Sequence, residues 1–240
     1  INEIMYAPVG DMPEWVEFYN ASTSAVNVGG WKISDTNTKS QSTLAGTQSI
    51  IQPGAYFLAT TDSSLHNYFA VSVLMFVEPF SALNNTTPDA VVLFDNRNVV
   101  MDSVWYTPAW GGANGKSLER IDYDFSSTDS ANWRSSSPTP GIENNAARKD
   151  FDLVMTSGSA KVSENSLILT ATVHNSGRRN VAGFIVRFYY DAVGDSTVSP
   201  VKLLHTANGG FLAPSDSMRV QFNWQTTAKG KISIICLVDF

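Results

Sequence analysis

Apolar and polar positions alternate with a period of two along most of this chain, the signature of half-buried β-strands. Residues 14–19, 90–94 and 99–106 read as strands bounded by Gly, Pro, Asn or Asp. Further on, Leu167, Leu169, Ala171 and Val173 fall on one face, opposite Ser166, Thr170 and Thr172. Phe184, Val186, Phe188 and Tyr190 repeat the pattern, as do Val220, Phe222 and Trp224. A helical turn or two is expected only near residues 65–69. The pattern predicts an all-β chain.

A polar stretch, Gly141 to Asp150, follows Pro138-Thr139-Pro140 and marks the expected domain boundary. Charge changes there. Residues 1–149 carry 8 basic and 15 acidic side chains, net −7, whereas residues 150–240 carry 8 and 7, net +1. The second piece holds at least five strand-like runs, enough for a small sandwich. The link is short and polar, so each domain is expected to fold alone.

Composition narrows the functional classes. Apolar residues make up 43% and charged residues 16% of the 240 residues, which excludes disorder. Sixteen glycines and ten prolines fit short strands joined by turns. A net charge of −6 opposes binding to phosphate backbones, where each contact needs a cation. The single cysteine, Cys236, leaves no internal disulfide framework, and its apolar surroundings predict a buried, inert thiol. No run approaches the roughly 18 apolar residues of a membrane helix. Ile1 is not an initiator methionine, so a mature or excised form is expected, with any targeting segment already removed.

Several motifs invite chemistry and fail on their details. Gly111 to Ser117 looks like a phosphate-binding loop, but three residues separate Gly111 from Gly115 where the motif needs four, and Leu118 to Tyr123 alternates like a strand. A hairpin loop is expected. Gly194-Asp195-Ser196 lacks the second glycine of a nucleophile elbow, and nothing in the spacing ties Ser196 to His174 or His205. Asp122, Asp124 and Asp129, near Glu119, form the densest acidic group without calcium-loop spacing, and Asp122 and Asp124 are expected to face solvent. No catalytic residue, cofactor or metal is assigned.

Nine short motifs in order carry a resemblance over almost all of residues 1–145. They lie at residues 1–6, 14–20, 30–35 (Gly-Trp-Lys-Ile-Ser-Asp), 51–56, 83–85, 102–106, 115–120, 132–133 and 139–141 (Thr-Pro-Gly). In these the first domain resembles a lamin tail domain of the bacterial branch. Residues 152–154, 171–177, 184–189, 212–214, 222–224 and 238–239 make the second domain, residues 150–240, similar to a CARDB-type cell-adhesion-related module. The resemblance implies two immunoglobulin-like β-sandwich domains in tandem, joined by a linker at 146–149. Such modules usually continue into an acidic tail, so the second is expected to be cut short at Phe240. Trp15, Trp31, Trp133 and Trp224 are expected to supply core area.

The resemblance also implies function: a non-catalytic accessory, adhesive or scaffolding module of a secreted or cell-surface bacterial protein, binding protein or carbohydrate as a monomer. No nucleic acid or membrane insertion is expected. The rival readings are a non-catalytic fragment of a larger secreted hydrolase and, against the charge, a nucleic-acid-binding module. Two residue sets stand out. Glu17 and Arg120, charges within apolar family motifs, are expected to form a partly buried ion pair. Trp105, Tyr106 and Trp110 lead into a glycine-rich loop and are the candidate ligand contacts, with core packing favoured for Trp105 and Tyr106.

Overall fold

A computed structural model of the 240-residue chain describes residues 1–44, 48–163, 165–192, 194–228 and 230–239. Phe240, where the second domain is expected to be cut short, lies outside the described residues. The chain divides into two compact units, Ile1–Ala147 and Arg148–Phe240.

The first unit contains β1 (Glu3–Met5), β2 (Trp15–Tyr19), β3 (Val26–Asn27), β4 (Lys32–Ser34), β5 (Ser42–Thr43) and β6 (Ile50–Ile51). It continues with β7 (Tyr56–Thr60), β8 (Leu74–Val77), β9 (Asp89–Phe94), β10 (Val100–Tyr106), β11 (Ser117–Arg120) and β12 (Trp133–Ser136). A six-stranded sheet of order β12-β11-β1-β2-β7-β8 packs on a four-stranded sheet of order β10-β9-β4-β5. Ile4, Val16, Phe18 and Leu118 from the first sheet meet Ile33, Val91, Leu93 and Val104 from the second in one core. This is a sandwich, built by alternation that sends every second side chain inward.

Alternation also decides what lies on the other side of the larger sheet. Glu3, Met5, Trp15, Glu17 and Glu119 alternate with the inward residues and face away from the core. That outer face is not left to water. Met5, Trp15 and Leu58 are covered by Leu65, Phe69 and Val71, forming a second apolar cluster. The covering segment contains the expected helical turn, a 3-10 turn at Ser63–Asn67 started by Asp62, whose carboxylate accepts the Ser64 amide at 2.6 Å.

The second unit contains β13 (Leu153–Ser163), β14 (Ser166–Asn175), β15 (Phe184–Tyr190), β16 (Leu203–Gly209), β17 (Ser217–Gln225) and β18 (Ile234–Asp239). Its two three-stranded sheets have orders β13-β14-β17 and β16-β15-β18. Leu169, Ala171, Val173, Val186, Phe188 and Val220 fill the space between them. Asn175 closes β14 by donating to Arg179 O (2.8 Å) and Leu212 O (3.0 Å), while its own oxygen accepts the Gly177 amide. Cys236 is half-buried, short of the full burial expected, and burial pushes its thiol up.

Of the four tryptophans expected in the cores, Trp15 and Trp133 are buried, while Trp31 and Trp224 are partly covered at core margins.

Candidate functional site

The aromatic run from Trp105 to Trp110 is split by the strand that carries it. On β10, Tyr106 points inward, 1% exposed, and stacks on Tyr6 at a centroid distance of 4.8 Å. Burial raises the pKa of its hydroxyl. Trp105, the next residue, points outward and is 61% exposed. The expected core packing thus holds for Tyr106 and is overturned for Trp105, because neighbours on a strand take opposite faces. Trp110 ends a 3-10 turn, Pro108–Trp110, capped by the Thr107 hydroxyl at 3.1 Å, and packs half-buried against the core edge.

Trp105 stands on the outer face of the smaller sheet. It lies opposite Ala90 and, with Ser103 opposite Val92, flanks a small apolar cluster of Ala90, Val92 and Phe94. Lys32, in register with Phe94, supplies a cation there and donates to Asn98 Oδ1 at 2.6 Å. A large exposed indole beside polar groups can receive a sugar face or a partner's apolar side chain.

The expected Glu17–Arg120 pair does not form. Glu17 accepts from Asn2 Nδ2 (2.8 Å) and from the Gly141 amide (2.5 Å). Arg120 instead meets Asp102 at 3.3 Å and donates to Ile1 O (3.1 Å) and Phe125 O (2.6 Å). The cause is facial: Arg120 shares the inward face of Leu118, whereas Glu17 faces outward, so the sheet itself separates them. Asp102 is fixed from two further sides, by the Ile1 nitrogen at 2.6 Å and the Ser127 hydroxyl. Arg120 and Asp102 stand at the margin of a cavity of about 430 Å³ that is also lined by Phe18, Trp31, Phe57 and Leu93.

The remaining motifs resolve into structure. Gly111, Gly112, Asn114 and Gly115 all have positive φ, and the loop feeds β11, not a helix. Gly112 (φ 86°) is required outright, because a Cβ there meets Tyr6 Cε1 and Leu118 Cγ at 2.8 Å. Asp122 is buried, against the expectation of solvent exposure, and accepts the Asp124 amide at 3.0 Å. Asp129 caps the 3-10 turn at Ser130–Asn132. Ser196 turns with φ 58° and its amide donates to Asp191. His174 pairs with the Ser217 hydroxyl (3.0 Å), and His205 stacks on Phe222 (4.2 Å), so neither serves Ser196.

What the sequence pattern did not reveal is that Glu3, Glu17 and Glu119 form a row. Glu3 stands opposite Glu17 on β2 and opposite Glu119 on β11. All three are fully buried. Only strand register shows this, since the three lie in separate motifs.

Residues 1–108 match the family model of the Lamin Tail Domain, and residues 150–240 match that of CARDB. No curated protein matches the sequence. Among solved structures, the exo-chitosanase CsxA of Amycolatopsis orientalis is 14% identical with a TM-score of 0.24, over 89% of this chain and 22% of that one. A structure of the exo-β-D-glucosaminidase CsxA, from work on its inhibition by castanospermine and australine analogues, is 14% identical with a TM-score of 0.23, over 93% and 23%. This chain spans less than a quarter of those chains, and so small a likeness says nothing about activity. The two matches fall one in each unit, in order and without overlap: residues 1–108 belong to the lamin tail domain family and residues 150–240 to the CARDB family.

Proposed function

We infer that this chain is a non-catalytic accessory or adhesive module of a secreted or cell-surface bacterial protein, and that its lamin tail domain binds protein or carbohydrate through the Trp105 face. The observation that carries the reading is the 61% exposure of Trp105 on β10. A side chain that large is normally covered, and an uncovered one with polar neighbours suits contact with a partner. The acidic balance of the first unit argues against nucleic acid, and the proposal takes the chain to act as a monomer. No helix among the described residues is long and apolar enough to cross a membrane.

Sedimentation with insoluble chitin, cellulose and peptidoglycan, and capture on a panel of bacterial surface proteins, tests the reading. Trp105→Ala is expected to weaken any binding found by about tenfold or more, the size of a lost aromatic anchor, without changing the melting temperature. Undiminished binding in the folded variant removes Trp105 as the contact.

A further inference from the structure

Three carboxylates lie side by side beneath the segment that ends the first unit. Glu17, Glu3 and Glu119 are direct neighbours across β2, β1 and β11, which puts adjacent Cβ atoms about 5 Å apart. Each is 0% exposed. The segment from Thr139 to Ala146 covers them and supplies neutral donors. The Thr139 amide reaches Glu3 Oε1 (3.0 Å), the Gly141 amide reaches Glu17, and the Ala146 amide reaches Glu119 Oε2 (2.7 Å). Asn144 adds bonds to Asn2 O (3.0 Å) and Arg120 O (2.9 Å), and accepts from Asn2 Nδ2. Ser117 donates to Glu3 from β11.

Among the described residues no cation forms an ion pair with the three carboxylates, and the charge of the Ile1 nitrogen draws the Glu17 carboxyl down without outweighing its burial. Arg134, in register with Glu119 on β12, is exposed and makes no ion pair with it. Arg120 faces the other side of the sheet and belongs to Asp102, as does the Ile1 nitrogen. Glu143, within the covering segment, is exposed, and Leu58 is the residue opposite Glu17 on β7.

The Thr139 hydroxyl is shared between two carboxyl groups. Its Oγ1 lies 3.3 Å from Glu3 Oε2 and 3.0 Å from Glu119 Oε1. One hydroxyl carries one hydrogen and can donate to only one carboxylate. The second contact is a hydrogen bond only if a carboxyl group itself is protonated and donates to Oγ1. We propose that Glu3, Glu17 and Glu119 share a proton near neutral pH, bridged through the Thr139 hydroxyl, and that this proton clasps the Thr139–Ala146 segment onto the sheet.

Two facts agree. Burial pushes the Glu3 carboxyl up to about 8, with the neighbouring Glu17 and Glu119 charges adding to it against the bonds from Ser117 and Thr139. Burial likewise lifts Glu17 to about 7 and raises Glu119. Protons in such a row belong to the group and not to one member. The sign follows: in the unfolded chain these carboxyls ionise near 4.5, so the stability they contribute is complete below that pH. It is lost as the pH rises toward and through about 8. The clasp tightens in acid and loosens in alkali. It holds the stretch that leads directly into the second unit at Arg148.

The test uses the full chain. Hydrogen exchange of the residue 139–146 amides, corrected for intrinsic rates, and thermal unfolding are followed from about pH 6 to pH 9. Wild type is expected to lose at least about tenfold in protection of that segment across the range, since each pH unit below the folded pKa is worth a factor of about ten. Glu3→Gln, a neutral isostere that donates without titrating, is expected to flatten both profiles. Thr139→Val removes the bridge and is expected to reduce protection at the acid end. A flat wild-type profile, or a Glu3→Gln profile parallel to it, overturns the proposal. If the variants do not fold, infrared spectroscopy of the wild type decides. A carboxylic C=O band that disappears between about pH 7 and pH 9 supports the shared proton, and its absence at about pH 6 refutes it.

Discussion

At the scale of single residues, Arg120 carries more structural weight than its place at the end of a short strand suggests. Its guanidinium ties Asp102 to two backbone carbonyls, Ile1 O and Phe125 O, and so joins the start of the chain, β10 and the loop after β11. Removing one partner of a buried pair costs about 3–5 kcal/mol when the other is left uncompensated. Asp102 keeps the Ile1 nitrogen and the Ser127 hydroxyl, so the loss of Arg120 falls below that range and comes mainly from its bonds to Ile1 O and Phe125 O. Arg120→Met is expected to lower the melting temperature. Glu17→Gln keeps one acceptor and is expected to cost less at neutral pH. Because a sheet separates the two side chains, their double-mutant cycle is expected to show coupling below about 0.5 kcal/mol. A larger coupling in thermal or denaturant unfolding means that they interact after all.

Trp105 and Tyr106 teach the same lesson about neighbours. Both are large aromatics in one motif, yet one stacks in the core and the other stands in solvent. Composition of the motif cannot tell them apart. The phase of alternation can, once Val104 is known to face inward.

Among the elements, edge strands separate into guarded and unguarded. The ladder of β10 with β9 is interrupted at Met101, that of β13 with β14 at Thr156, and that of β16 with β15 at Leu204. Such bulges twist an edge away from foreign strands. β18 is also an edge, but its six residues pair with β15 without a break. Ile234, Cys236 and Val238 point inward and Ile235 and Leu237 outward, so the strand is apolar on both faces. No lysine or proline interrupts it. Leu237→Lys, at an exposed position, is expected to reduce light scattering on heating at high protein concentration without lowering the melting temperature. Unchanged scattering places the aggregation-prone surface elsewhere.

The strands themselves were largely legible. Residues 14–19, 90–94 and 99–106 became Trp15–Tyr19, Asp89–Phe94 and Val100–Tyr106. Very short strands such as Val26–Asn27 and Ile50–Ile51 offered no period to read. Asp122 was misjudged because strand geometry was carried past Arg120, where β11 ends. Beyond it the chain turns, and the Asn132 side chain receives the Asp122 amide at 2.9 Å.

For the whole molecule, division into two compact units gives a direct test. Residues 1–147 and 148–240, expressed separately, are each expected to unfold cooperatively, since each has its own core. The alkaline loss of stability is expected in the first fragment alone, because Glu3, Glu17 and Glu119 all belong to it. Calorimetry of both fragments across pH checks this. An alkaline transition of equal size in the second fragment contradicts the assignment.

The amino-acid order alone determined that this is an all-β chain in two parts, because alternation, turn residues and the polar stretch after Pro140 are local signals, while the two sandwiches were implied by the family motifs. It also limited the chemistry, through one cysteine, few histidines and an acidic first half. Only the tertiary structure decided which charges meet. Alternation assigns a side chain to a face, but the partner across that face is set by the register of strands far apart in sequence. Glu3 and Glu119 are more than a hundred residues apart and become direct neighbours. Glu17 and Arg120 look equally paired in the linear order and end on opposite sides of one sheet, because non-local pairing chooses the neighbour.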